Sequence, residues 1–106
     1  MRGEFVVVAL QGDLGKPRPV LIVQSDIFSD LSSVTIIPLT SEIRDVPLFR
    51  FTVEPSKENG LLKKSQLMID KVCTISRKKV SKPLGKISNT ELLEVERLLT
   101  VFLGIA

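Results

Sequence analysis

The chain has 106 residues, 43% of them apolar, with 15 Lys+Arg against 12 Asp+Glu, a net charge of +3, no His and one Cys. Without His, one chain cannot build a Ser–His triad, a paired-histidine acid–base site or a His-ligated metal. One Cys excludes an intrachain disulfide and a Cys-ligated zinc cluster, suits a reducing cytoplasm, and leaves no cofactor or metal implied.

The length predicts a single domain over residues 1–106. Met1-Arg2-Gly3-Glu4 runs straight into a β-like stretch, so no signal peptide is expected. The longest apolar runs, Phe5–Leu10 and Val20–Val23, fall far short of the roughly 20 residues that span a bilayer. A cytoplasmic protein without membrane contact is the expectation.

Phe5-Val6-Val7-Val8-Ala9-Leu10 is short, apolar and β-branched, which predicts a strand. Gln11 to Pro17, with two Gly, an Asp and a Pro, predicts a loop. Its Gly12-Asp13-Leu14-Gly15-Lys16 has the look of a phosphate loop but lacks Gly-Lys-Ser/Thr and a following helix. Arg18–Val23 predicts a second strand, with Pro19 at its start. Ser25–Asp30 predicts a short helical turn. Val34–Leu39 and Leu48–Val53 predict two more strands, and Glu54–Gly60 a turn. Strands near Ser65–Ile69 and Lys71–Ser76 follow, and Pro83-Leu84-Gly85-Lys86 reads as a break. Ser88-Asn89-Thr90-Glu91 fits a capping box. Leu92, Val95, Leu99 and Phe102, with Leu98 and Ile105 alongside, then recur at helical spacing, and Gly104 supplies the stop. The expected class is mainly β: a small antiparallel barrel or curled sheet with a C-terminal α-helix over one side.

Charge is segregated along the chain. Residues 1–53 carry 5 basic and 6 acidic side chains, residues 54–86 carry 9 and 3, and residues 87–106 carry 1 and 3. The central +6 block predicts either an anionic partner or simply a solvated face.

Polar groups at the ends of apolar strands are the candidates for chemistry. Arg18 opens a strand, where a fixed guanidinium can hold a phosphate. Thr40-Ser41 closes another and can add hydroxyl donors. Asp70 interrupts an apolar stretch and is a candidate base. Each also has an ordinary reading: a surface charge, a turn residue, a turn carboxylate. Cys73, between Val72 and Thr74, reads as a small core or sheet residue and not as a nucleophile.

Taken in order, several segments resemble the MazF/PemK toxin family. These are Arg2-Gly3-Glu4, Gly15-Lys16-Pro17-Arg18-Pro19-Val20-Leu21-Ile22-Val23-Gln24-Ser25-Asp26, Val34-Thr35-Ile36-Ile37-Pro38-Leu39-Thr40-Ser41, Ser65-Gln66-Leu67-Met68-Ile69-Asp70-Lys71-Val72 and Leu84-Gly85-Lys86-Ile87. The resemblance implies an SH3-like barrel with a C-terminal helix, forming a homodimer. It implies a toxin that cleaves single-stranded RNA without metal, paired with an antitoxin whose acidic C-terminal segment occupies the RNA groove. Arg18 matches the family's catalytic Arg, Thr40 its catalytic Thr, and Asp70 its acidic position. Lys16, Gln24, Ser25, Ser41 and Lys71 fall at substrate-binding positions. Some members carry an Arg two residues before the acidic position, where this chain has Met68; Lys16 or Lys71 is then the group expected to compensate. Val23–Ile27, Ile36–Leu39 and Phe102–Ile105 also resemble the gyrase poison CcdB of the same fold, with Leu103 where that relative has Trp. A gyrase poison and a catalytically inactive binding module are therefore the alternative readings.

Overall fold

The computed structural model describes residues 1–9 and 16–105. Its elements are β1 (Glu4–Ala9), β2 (Pro17–Ile22), β3 (Ser33–Thr40), β4 (Arg50–Val53), β5 (Ser65–Met68), β6 (Cys73–Ser76), β7 (Val80–Lys86) and α1 (Asn89–Phe102), with 3-10 turns at Asp26–Phe28, Ile69–Lys71 and Arg77–Lys79. The loop expected over Gln11–Pro17 lies, as far as Gly15, outside the described residues.

Every strand pair is antiparallel. The order is β4-β5-β3-β2-β1-β7, with β6 added on β3. The long β3 organises the sheet. One edge pairs β2; the other pairs β6 through Val34↔Ile75 and then β5 through Leu39↔Leu67. The class is mainly β with a C-terminal helix, as expected. The sheet does not close as a hydrogen-bonded barrel, because β4 and β7 end the order without pairing each other. It curls instead, giving near-equal extents of 31 × 29 × 28 Å. Across the gap, the Lys86 N–H donates to Glu58 O at 2.8 Å.

Curling buries both faces, which is why the strand sequences run apolar without alternating. Phe5, Leu21, Ile37, Leu39, Leu67, Ile69, Val95 and Leu98 fill one cluster, against α1. Val6, Val8, Val20, Ile22, Val34 and Ile36 fill a second, on the other face. Each such side chain contributes about 1.5–3 kcal/mol by leaving water.

Three expectations need correction. The break at Pro83–Lys86 is the second half of β7, paired with β1. The ladder accommodates Pro83 because β7 ends the sheet order and its register against β1 shifts around Val6↔Pro83, the sites where a residue without an N–H is tolerated. Leu48 and Phe49 belong to a turn before β4, because Val46 O accepts from both the Phe49 and Arg50 N–H groups. Phe102, expected on the buried helix face, is 47% exposed, because α1 runs on past the core that Val95 and Leu98 enter.

The helix ends follow the sequence closely. Ser88 Oγ accepts from the Glu91 N–H at 3.1 Å and donates to the Glu91 carboxylate at 3.0 Å. At the other end, Gly104 at φ 75° lets its N–H reach Val101 O while the Ile105 N–H reaches Thr100 O, the Schellman arrangement. Removing the cap with Ser88→Ala should cost about 1 kcal/mol. A thermal melt should show it as a loss of roughly 5 °C; an unchanged melting temperature would contradict the capping role. Among the described residues, no helix is long and apolar enough to cross a membrane.

Candidate functional site

The β2–β3 register pairs Val20 with Pro38, Leu21 with Ile37 and Ile22 with Ile36. Continued by two residues, it sets Arg18 across from Thr40. Thr40 pairs in turn with Gln66 on β5, and Gln66 with Thr52 on β4. Directly opposed residues share a sheet face. Thr52, Gln66 and Thr40 thus form one polar row across three strands, and the continued register points it toward Arg18, which pairs with Val8 of β1.

An open cleft of about 550 Å³ runs beside the Thr40 end of the row, lined by Val7, Pro17, Arg18, Pro19, Leu39, Thr40, Ser41, Gly60, Leu61, Leu62, Lys63, Ser65, Ser81, Lys82 and Leu84. Its floor is apolar. Its rim holds three cations and three serines, and no carboxylate among the described residues. Such a site favours an anion with a flat apolar part.

Thr40 is set up to donate. Its Oγ1 accepts from the Glu42 N–H at 3.1 Å, which fixes the oxygen and leaves the hydroxyl proton for another acceptor. Glu42 itself is a poor base, despite standing two residues from Thr40. Hydrogen bonds from Arg44 Nε and Nη2, at 3.1 and 2.7 Å, hold its carboxyl below the usual range, with the Arg44 charge and then that of Arg50 adding to the effect.

The remaining sequence candidates divide. Ser41 is on the cleft wall. Lys16 is exposed just before β2. Asp70 and Lys71 are exposed on the 69–71 turn, which packs against α1 and is not part of the cleft wall. Four residues of chain separate Asp70 from Gln66, a span of at most about 14 Å. Gln24 and Ser25 stand past the far end of β2 from Arg18, about 20 Å along the extended chain at ~3.3 Å per residue. There they build the 26–28 turn: Gln24 Oε1 accepts from the Thr35 N–H at 3.1 Å, and Ser25 Oγ from the Ile27 N–H at 3.4 Å. Cys73 is a sheet residue, paired with Ile36, and it is exposed instead of lying in the core.

The residue opposite Met68 is Arg50, a cation beside that position that the sequence reading did not single out. Sequence reasoning also missed Lys63 and Lys82 as cleft residues, though both belong to the basic block. Gln66 was missed entirely. Its one signal was a carboxamide directly before the apolar stretch Leu67-Met68-Ile69.

The model of the PemK-like, MazF-like toxins of type II toxin–antitoxin systems matches residues 1–103. A relative from Mycolicibacterium smegmatis, named probable endoribonuclease MazF, is 44% identical over 106 residues, covering 99% of this chain and 97% of that protein. An endoribonuclease MazF of Staphylococcus epidermidis is 26% identical over 92 residues, 86% of this chain and 77% of that protein. The solved structure of an endoribonuclease in complex with its cognate antitoxin, from a mycobacterial species, has the same fold: TM-score 0.85, 20% identity, 100% of this chain and 96% of that one. With the match running through β1, the Arg18–Thr40 strands and α1, this chain belongs to the PemK-like, MazF-like toxins of type II toxin–antitoxin systems.

Proposed function

We propose that this toxin is an endoribonuclease that cleaves single-stranded RNA, without a metal, by attack of the 2′-OH on the adjacent phosphorus. The observation that carries the reading is the meeting of Arg18 and Thr40 at a cationic, apolar-floored cleft, in a chain 44% identical to a probable endoribonuclease. A new bond joins the 2′-oxygen to phosphorus and the bond to the 5′-oxygen breaks. The 2′-OH proton passes to a base, and the departing 5′-oxygen takes up a proton. Arg18 stabilises charge on the non-bridging oxygens, and Thr40 donates its hydroxyl to one of them. Asp70 is the base in this reading, since the carboxyl of Glu42 is tied to Arg44. An unstacked base would lie on the apolar floor, which calls for single-stranded substrate.

The same basic surface suits the acidic C-terminal segment of a cognate antitoxin. A second copy of the chain would cover the exposed Val101, Phe102, Leu103 and Ile105 at the end of α1. The reading also requires that this homodimer bring Asp70 of one protomer to the cleft of the other, because Asp70 is not on the cleft wall of its own chain. Light scattering at micromolar concentration should report a dimer.

Incubation with a long RNA in EDTA, followed by analysis of the ends, tests the chemistry. The expected products are a 2′,3′-cyclic phosphate and a 5′-OH, and a 2′-deoxy substitution at the cleaved nucleotide should block the cut. Intact RNA, or 5′-phosphate ends, would overturn the reading, and gyrase-dependent DNA breakage would replace it. The cleft cations give a separate expectation. On a 2′-deoxy-blocked RNA, Lys63→Gln with Lys82→Gln should flatten the slope of log affinity against log salt by about 1.4, or roughly 0.7 per phosphate contact on a single strand. An unchanged slope would remove these lysines from the RNA path.

A further inference from the structure

Gln66 is 4% exposed, and its carboxamide is fully used. Oε1 accepts from the Arg44 N–H at 3.0 Å and from Arg50 Nη1 at 3.2 Å. Nε2 donates to Arg44 O at 2.9 Å and Thr52 Oγ1 at 3.1 Å. Two donors face the oxygen and two acceptors face the nitrogen, so the amide has one orientation. Its grip on both backbone groups of Arg44 ties an otherwise exposed segment, residues 41–45, to β5.

The same nitrogen of Arg50 that meets Gln66 also donates to Glu42 O at 3.1 Å. The N–H of that same Glu42 holds Thr40 Oγ1 at 3.1 Å. A continuous run of hydrogen bonds therefore leads from Gln66, through Arg50 and Glu42, to the hydroxyl expected to meet the phosphate. Arg50 has no carboxylate within 4.0 Å among the described residues, and its buried Nε lacks a partner. A half-buried cation left this incompletely satisfied is an expensive way merely to staple a loop.

We propose that Gln66 is a positioning residue for the reaction, setting the Thr40 hydroxyl through Arg50 and the 42–44 segment. This rests on the ribonuclease reading for its consequence, not for its geometry. A fixed hydroxyl matters because a donor aimed at developing charge loses effect when it must be reoriented at each turnover.

Two variants test it. Gln66→Leu removes all four bonds. Gln66→Glu keeps the acceptor for Arg44 N–H and Arg50, lets the Thr52 hydroxyl donate instead of accept, and replaces the bond to Arg44 O with a repulsion between two acceptors. Backbone hydrogen exchange reads the clamp without substrate: Gln66→Leu should speed exchange at the Arg44 and Glu42 amides at least tenfold, and Gln66→Glu by less. Unchanged exchange would overturn the proposal whether or not RNA is cut. For cleavage, Gln66→Leu should lower the saturated single-turnover rate about tenfold, the scale of one lost hydrogen bond. Affinity for a 2′-deoxy-blocked RNA should stay within about twofold. Added to Thr40→Val, Gln66→Leu should cause no further loss of rate, because the group it positions is already gone. Additive losses, or a drop in rate matched by the unfolded fraction, would make Gln66 a structural residue only. Wild-type cleavage with a normal rate in Gln66→Leu would sink the positioning role and leave the ribonuclease reading standing.

Discussion

Arg18→Ala is expected to slow single-turnover RNA cleavage by about 10²- to 10³-fold, the loss seen when a fixed donor to developing oxyanion charge is removed. Three features motivate the size. Arg18 is the second residue of β2, so its backbone is held by the Val8↔Arg18 pair. It lines the cleft together with Thr40, Lys63 and Lys82. And with no His in the chain, no imidazolium can take over the charge. Arg18→Lys should fall between, because an ammonium keeps the charge but not the planar fork that grips two phosphate oxygens. Thr40→Val, which deletes one neutral donor of nearly the same shape, should cost about tenfold. If both groups serve one phosphate, Arg18→Ala with Thr40→Val will lose less than the product of the single losses. Rates are compared at equal folded fraction, from melts of each variant. Cleavage by Arg18→Ala at the wild-type rate would remove Arg18 from the chemistry.

Whether a feature was legible in the sequence depended on how far away its partner lay. The helix was readable because its determinants are local: Ser88 and Glu91 are three residues apart, and Gly104 ends it within one turn of Val101. The candidacy of Arg18 and Thr40 was visible from their places at strand ends. That the sheet sets one toward the other was not, because it depends on the Val20↔Pro38 register. Pro83 and Gly85 misled for the same reason. Proline and glycine punctuate locally, and only pairing with β1, some 80 residues earlier, makes a strand of that segment. Gln66 offered least of all. The groups it binds come from Arg44, Arg50 and Thr52, 22, 16 and 14 residues away, so nothing nearby in sequence marks it as more than a polar residue in a short strand. The face of the helix beyond Leu98 was over-read, since helical spacing shows which residues align but not where the core stops.

Gly60→Ala should be among the most destabilising single changes in the chain, at roughly 3–5 kcal/mol: overpacking, left-handed strain and a lost backbone hydrogen bond together. A Cβ on Gly60 would lie 2.1 Å from Leu84 O and 2.7 Å from Leu84 C, with the backbone already at φ +68°. Those are main-chain atoms of β7 and cannot swing aside. From the other side, a Cβ on Gly85 would lie 2.2 Å from Glu58 O and 2.6 Å from Asn59 C. The 56–60 turn and β7 thus touch backbone to backbone, and this contact carries the Lys86–Glu58 bond across the open side of the sheet. The turn cannot yield easily either. Asn59, 3% exposed, accepts through Oδ1 from the Ser56 and Leu61 N–H groups at 3.0 and 2.9 Å and donates through Nδ2 to Glu54 O at 2.8 Å. Gly104 is the control. It has φ +75° but nothing within 4 Å of a Cβ, so Gly104→Ala meets only the strain of the left-handed backbone, about 1–2 kcal/mol. A fall of more than about 12 °C is expected for Gly60→Ala, with Gly85→Ala close behind and Gly104→Ala down by only about 5–10 °C. Equal melting temperatures for Gly60→Ala and Gly104→Ala would show that β7 moves aside freely. The consequence reaches the site, because Gly60 to Lys63 form one wall of the cleft and Lys82 and Leu84 of β7 form another. Prising the turn from β7 separates these walls, so Gly60→Ala should weaken RNA binding even at temperatures where it remains folded.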